Sequence, residues 1–355
     1  MAVEPHCPVV LSSGELAVPS VPGLGTVLTP TGTPRGVAML LHGLNGAAPS
    51  FPETPQDMGT GGILPLYYGT WASDLVSDGW VVLYPTYPED AYPTQLGGPP
   101  HGIWTDITTD PEYGARYYRN LIRLAQHWVG WANMEYPGKA LTVMGMSEGG
   151  YHTLAILSAL GQFFVGGIAH CPATIWSNVS SLFTTSTDDF GPYLTTGLDL
   201  SPTCLNAVKG PTLVSFGTND AAVGWTQTAV AAASNGVDVT TFTGAGSLAV
   251  ATPADMIPGV SVQVTTVTNG VPGTATIRFT GTSSTDLTGC TLLRGTGTLA
   301  TGGAVIQSLT TEIISNAQAA GAPVTSNQTT DNHELLLADE KAFKTFWETY
   351  LDPLT

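Results

Sequence analysis

Short apolar runs without polar alternation occur at 36–41, 80–84, 140–144 and 163–169, and another begins at 211 and ends in a turn at Asp220. Such runs are the pattern of strands covered on both faces, as in a parallel sheet with helices on either side. The stretches between them supply the helices. Asp110 as cap, Pro111 at the first helical position and Glu112 in the first turn predict a helix over 111–131. Apolar residues at helical spacing predict another over 151–160, stopped by Gly161, and a short one at 70–77. A last amphipathic helix over 334–350 turns Leu336, Phe343, Phe346, Trp347 and Tyr350 inward. Strands alternating with helices imply a mostly parallel sheet, so reactive groups are expected at the carboxyl ends of strands.

The texture changes at about 240 and stays changed to 303, where Thr, Gly and Val dominate and charge nearly vanishes. Val260, Val262 and Val264 alternate with Ser261, Gln263 and Thr265, Asn269-Gly270 signals a tight turn, and alternation resumes over 274–280. We expect an inserted β-rich module at 240–303 within a main domain formed by 1–239 and 304–355. A helix is predicted over 304–320, followed by a last strand at Pro323-Val324-Thr325. Residues 172–208 gather Ser, Thr and Asp without strand alternation and are expected to form a small cap.

A net charge of −17, with ten Lys plus Arg spread along the chain, repels phosphate backbones and argues against nucleic acid and anionic membranes as partners. No run of about 18 apolar residues is present to span a bilayer. Residues 1–10 lack a basic then apolar leader pattern, so the chain is expected in the cytoplasm as synthesised, with virion association or another export route left open by the charge-poor Thr/Gly texture. Cys7, Cys171, Cys204 and Cys290 are widely spaced without C-x-x-C and are expected as free thiols, although Cys171 and Cys204 bracket one segment and could pair. With no His/Asp/Glu cluster at ligand spacing either, no metal and no cofactor is expected.

Chemistry concentrates at Gly145-Met146-Ser147-Glu148-Gly149-Gly150, which joins the apolar run at 140–144 to the helix at 151–160. Glycines two before and two after a serine keep side chains out of a sharp strand-to-helix turn and leave the hydroxyl standing clear. Glycine makes up 42 of 355 residues, so the motif alone is weak and its strand–turn–helix context carries the assignment. The competing reading is a tight turn with a capping serine. Two further groups each follow a predicted strand: Asp220 after the run from 211, and His333 after Pro323-Val324-Thr325. Asp188, Asp189 and Asp238 are alternatives for the acid, and His42, His152 and His170 for the histidine.

The order serine, acid, histidine, the G-x-S-x-G elbow and the His42-Gly43-Leu44 loop after an early strand together resemble the α/β-hydrolase superfamily, of the esterase, lipase or serine-peptidase kind. The resemblance covers 36–240 and 304–351. It departs from the family in the module at 240–303, which separates the acid from the histidine. It implies a serine hydrolase cleaving a carboxylic ester, with Ser147 as nucleophile, His333 as base, Asp220 as acid and the backbone N–H groups of Leu44 and Glu148 as oxyanion donors. A peptidase or amidase of the same fold is the nearest variant, and a binding or structural protein on a hydrolase frame is the alternative of another class. The module is expected to bind a larger substrate, a protein partner or another copy of the chain.

Overall fold

The computed structural model describes residues 3–4, 25–41, 72, 74–85, 113–172, 203–217, 226–256, 258–259, 261–329 and 337–354, which divide between two compact units, 1–222 with 313–355, and 223–312. In the first unit the apolar runs are strands: β1 (Val3–Glu4), β2 (Gly25–Leu28), β3 (Gly36–Leu41), β4 (Val81–Tyr84), β5 (Ala140–Met146), β6 (Gly166–His170) and β7 (Thr212–Gly217), joined late in the chain by β16 (Val324–Thr329). Their order across the sheet is β1-β2-β4-β3-β5-β6-β7-β16. β1 pairs β2 and β2 pairs β4 antiparallel, and every other pairing is parallel. The carboxyl ends of β3, β5, β6, β7 and β16 therefore share one edge. Every residue of β3, β4, β6 and β7 is buried, as expected of strands without polar alternation.

Helices cover both faces. α1 (Tyr113–Glu135) packs on α2 (Glu148–Leu160), which lies on the sheet with Tyr151 through Leu157 all buried. On the opposite face α4 (Leu337–Phe346) sets Phe343 and Phe346 into a cluster with Leu40, Met144, Met146, Ile168 and Leu213. A π-helical turn, Trp347–Leu351, then brings Trp347 edge-on to Trp80 at 4.7 Å, and the Asp352 carboxylate accepts from Arg35 Nη2 at 2.7 Å and from Trp80 Nε1 at 3.3 Å. These contacts fix α4 against the strands beneath it.

Two expected elements differ. The run at 163–169 becomes a strand only from Gly166, where pairing with Thr142 of β5 begins; Gly161–Phe163 is a 3₁₀ turn that leaves Phe163 half exposed. In place of a helix from 304, Ala304–Gln307 is strand β15 and helix α3 starts at Leu309 and ends at Ala319. Four residues are too few for periodicity to separate helix from strand. Pairing on both sides, with β10 and β8, decides it. Cys171, Cys204 and Cys290 are free thiols, and Cys7 lies outside the described residues.

The second unit is antiparallel: β8 (Thr226–Ala229), β9 (Thr243–Ala249), β10 (Val262–Thr268), β11 (Val271–Arg278), β12 (Gly281–Thr282), β13 (Asp286–Arg294), β14 (Thr298–Leu299) and β15. It reaches beyond the 240–303 marked by texture, because β8 and β15 pair with each other. Neighbours run β8-β15-β10-β11-β13-β9, and the Val230–Val250 bridge joins the β9 end back to β8, with Ala231 N–H donating to Ala249 O and Ala251 N–H to Ala229 O, both at 2.9 Å. The strands thus close on themselves, which removes exposed edges. Burial along β10 alternates as its sequence does, and Asn269 (φ 53°) and Gly270 (φ 79°) make the two-residue turn to β11, where both central residues need positive φ. Val264, Ile277, Phe279, Leu287 and Val305 fill the interior. Among the described residues of this unit one carboxylate is buried: Glu312, only 4% exposed, accepts from Ser261 N–H at 3.0 Å, Ser261 Oγ at 2.9 Å and Arg278 Nη2 at 3.0 Å.

With a core and closed ladder of its own, 223–312 expressed alone should unfold in one cooperative transition. Burial raises the Cys290 thiol to about 11, so it should stay unreactive toward iodoacetamide at pH 8 until that transition. Glu312→Ala leaves the Ser261 donors without their acceptor and should lower stability by about 2 kcal/mol in urea titration.

Candidate active site

The elbow is built from close approach. β5 runs straight into α2 with one residue, Ser147, between them, so strand and first helical turn are pressed together. A Cβ on Gly145 would collide with the Gly149 carbonyl and lie 2.9 Å from Leu41 Cβ. One on Gly150 would lie 2.7 Å from the His170 carbonyl oxygen and 2.9 Å from Pro172 Cα. Ser147 takes the bend at φ 59° and ψ −120°, a conformation that L-residues avoid at a cost of about 1–3 kcal/mol. Two main-chain bonds hold it there: its N–H donates to His170 O at 2.9 Å, and its carbonyl accepts from Tyr151 N–H at 3.0 Å.

Ser147 stands at the N-cap position of α2, yet its side chain makes no capping bond. That removes the reading of a serine present to cap a helix. The half-buried hydroxyl sits where the first-turn N–H groups of α2, beginning with Glu148, have no acceptor within the helix and carry its positive end. Developing negative charge next to Ser147 would meet those donors.

The described strands that precede the other residues of interest end at the same edge. Leu41, the last residue of β3, is the register partner of Gly145, and His42 and Leu44 follow it outside the described residues. β7 and β16 are paired up to Gly217 and Thr329; Asp220 comes three residues after the first and His333 four after the second, both outside the described residues. Asp188 and Asp189, with all of the expected cap but its first and last few residues, lie outside them too.

The rival residues that are described have other surroundings. His170 is 3% exposed, its ring edge-on to Phe343 at 5.1 Å and its Nε2 3.5 Å from Cys171 Sγ. His152 is fully buried on α2, its ring 5.9 Å from that of Tyr151. Asp238 lies in the second unit, capping a 3₁₀ turn: the Thr240 N–H at 2.9 Å and hydroxyl at 2.8 Å hold its carboxyl below the usual carboxylate range. Among the described residues no group of His, Cys, Asp and Glu is placed to hold a metal. A feature that periodicity could not show is Cys171, a second non-glycine residue at positive φ (42°), whose N–H donates to Ser215 O at 2.7 Å.

A model of the prolyl oligopeptidase family matches residues 104–242, a stretch that contains Ser147 and Asp220. Among solved structures the chain is similar to an acylaminoacyl peptidase of Pyrococcus horikoshii, with 13% identity and a TM-score of 0.47 over 92% of this chain and 39% of that one. It is similar to esterase PE8 at 12% identity and a TM-score of 0.45, over 92% of this chain and 99% of that one. Est1E from Butyrivibrio proteoclasticus matches over 55% of this chain and 72% of its own, at 11% identity and a TM-score of 0.34. The chain thus spans about two fifths of the length of the Pyrococcus peptidase. No curated protein matches the sequence.

The strain at residue 147 gives a test independent of any substrate. Glycine reaches φ 59° without the Cβ penalty, so Ser147→Gly should be more stable than Ser147→Ala by about 1 kcal/mol, the reverse of their usual ranking, measured by denaturant unfolding.

Proposed function

We propose that this chain, which has the α/β-hydrolase fold, is a serine hydrolase that cleaves a carboxylic ester through an acyl-enzyme on Ser147. The observation that carries the reading is the uncapped, strained serine between β5 and α2, at the carboxyl edge of a parallel sheet. Strain of this kind persists only where the surroundings impose it, and here it sets an oxygen beside a helix N-terminus.

In the proposed reaction Ser147 Oγ attacks the acyl carbon while the His333 imidazole takes its proton, and the carbonyl oxygen becomes an oxyanion held by the N–H groups of Glu148 and Leu44. Collapse of this adduct breaks the bond to the alkoxide, which leaves with the proton from His333. Water, deprotonated by the same imidazole, then attacks the acyl-enzyme and frees the acid and Ser147. Asp220 orients the imidazole and stabilises its charged form. The register of β7 with β16 supports this assignment, because neighbouring strands about 4.8 Å apart lead to Asp220 and to His333. The chemistry draws on no metal and no cofactor. To the charge-poor second unit we assign contact with a larger substrate, a protein partner or another copy of the chain, outside the catalytic sheet.

The match of 104–242 to the prolyl oligopeptidase family favours a second reading, in which the same serine cleaves an amide bond. The attack is common to both. They differ in the leaving group, an amine that must be protonated as it departs in place of an alcohol.

Labelling with a fluorophosphonate, followed by mass spectrometry of the adduct, should place the phosphonyl group on Ser147, and an unlabelled Ser147 would end the reading. p-Nitrophenyl esters of increasing acyl length, run beside peptide p-nitroanilides, then separate esterase from peptidase. Asp220→Asn should lower kcat by roughly 10³–10⁴ with little change in Tm, and His333→Ala at least as much. The wild-type rate should rise from pH 5 to 8 as the imidazole loses its proton, and a flat profile would count against a histidine base.

A further inference from the structure

Residues 223–312 contain two basic side chains, Arg278 and Arg294, and no lysine or histidine. Both lie on the outer face, near Glu312. Arg278 ends β11, and its Nη2 donates to Glu312 Oε1 at 3.0 Å; Arg294 ends β13, and its Nε donates to Thr276 Oγ1 at 2.9 Å. A bulge puts Arg294 there. Along the β11–β13 ladder Arg278 pairs with Thr291 and Ile277 with Leu292, but Thr276 pairs with Arg294, so Leu293 is skipped and left 44% exposed. In an unbroken ladder Arg294 would oppose Ala275, which belongs to the interior. The extra residue turns Arg294 to the face of Thr276 and Arg278 instead, and re-aiming a side chain is a recurrent use of a bulge.

Glu312 does not need the second arginine. Its carboxylate already accepts from Arg278 and from both Ser261 donors. The other carboxylates among the unit's described side chains are engaged in turns, Asp238 by Thr240, and Asp286 by the Ser283 and Thr285 hydroxyls at 3.2 and 2.6 Å. Two guanidinium groups beside one carboxylate leave a positive charge over. Arg294 is half buried, so loss of water lowers its pKa while the nearby Glu312 raises it. Neither Nη of Arg294 makes a hydrogen bond among the described residues, and nor do Nη1 and Nε of Arg278. Open guanidinium edges of this kind match the two oxygens of a carboxylate.

We propose that Arg278 and Arg294 form a binding site for a ligand that presents a single carboxylate group. Glu312 holds Arg278 from below, Thr276 holds Arg294 by its Nε, and the remaining donors face solvent from the same side of β11 and β13. A carboxylate brings the local charge to zero. A phosphate dianion would leave it negative, on a chain that already carries −17. The site gives the second unit a chemical preference of its own and does not depend on the reading of Ser147 as nucleophile.

The test titrates the isotope-labelled full chain with sodium benzoate at constant ionic strength and follows the arginine Nε–H resonances, with benzamide as the uncharged analogue and phenylphosphonate as the dianion. The Arg294 signal, identified by its absence from Arg294→Gln or from the milder Arg294→Lys, should shift and saturate in the millimolar range, where a few charged hydrogen bonds place the affinity. Benzamide should leave it unmoved, and phenylphosphonate should bind more weakly than benzoate. Arg294→Gln and Arg278→Gln, read on the arginine that remains, should each weaken benzoate binding by roughly 10-fold. A wild-type shift that benzamide or chloride reproduces, or that never saturates, would overturn the site. So would unchanged affinity in both arginine variants. Tighter binding of phenylphosphonate would overturn the assignment of a carboxylate.

Discussion

The approach of two backbone segments at the elbow sets the conditions for the rest of the first unit. Gly145 and Gly150 leave no room for a Cβ, and the turn between them falls on Ser147 at φ 59°. A tight turn of this kind stores energy, and the surrounding sheet must supply it. The bond from Ser147 N–H to His170 O continues the β5–β6 ladder one residue past the strand, and the Tyr151 N–H to Ser147 O bond starts α2 on the other side. Strain and the absence of a cap share one origin here: the geometry that keeps the serine from capping its helix leaves its oxygen at the helix N-terminus.

The parallel sheet sets the surroundings of that turn. Because β3, β5, β6, β7 and β16 run the same way, their carboxyl ends lie along one edge, and in-register pairing sets their lateral order. The covering helices serve the same end from opposite faces: α2, buried through its middle, carries the elbow, and α4, fixed at its far end by Trp347 and Asp352, holds the face with His170 and Ser215.

The second unit follows a different physics. β10 and β15 alternate buried with partly exposed residues, and the strands close into a ring that pairs their backbone groups within the unit. Charge is almost absent, and the Glu312 carboxylate is accommodated by three donors. A unit with its own core and a closed ladder can interrupt a chain without drawing on the parallel sheet for its core.

The sequence by itself determined the elements whose signal is local. Uninterrupted apolar runs at 36–41 and 80–84 gave buried strands, Asn269-Gly270 gave the hairpin turn, and G-x-S-x-G after an apolar run gave the elbow. Each depends on contacts within a few residues, which periodicity and turn chemistry record. Four residues at 304–307 read as helix and form a strand, since the partners that decide the matter, Thr226–Ala229 and Val262–Val264, lie far away in the chain. The unit's bounds moved outward for the same reason. Nothing in the sequence linked Ser215 to Asn327, which are 112 residues apart and meet only because β7 and β16 pair in register. Local pattern can nominate a serine, but which side chains stand beside its strand is set by long-range pairing, and only the tertiary structure holds that.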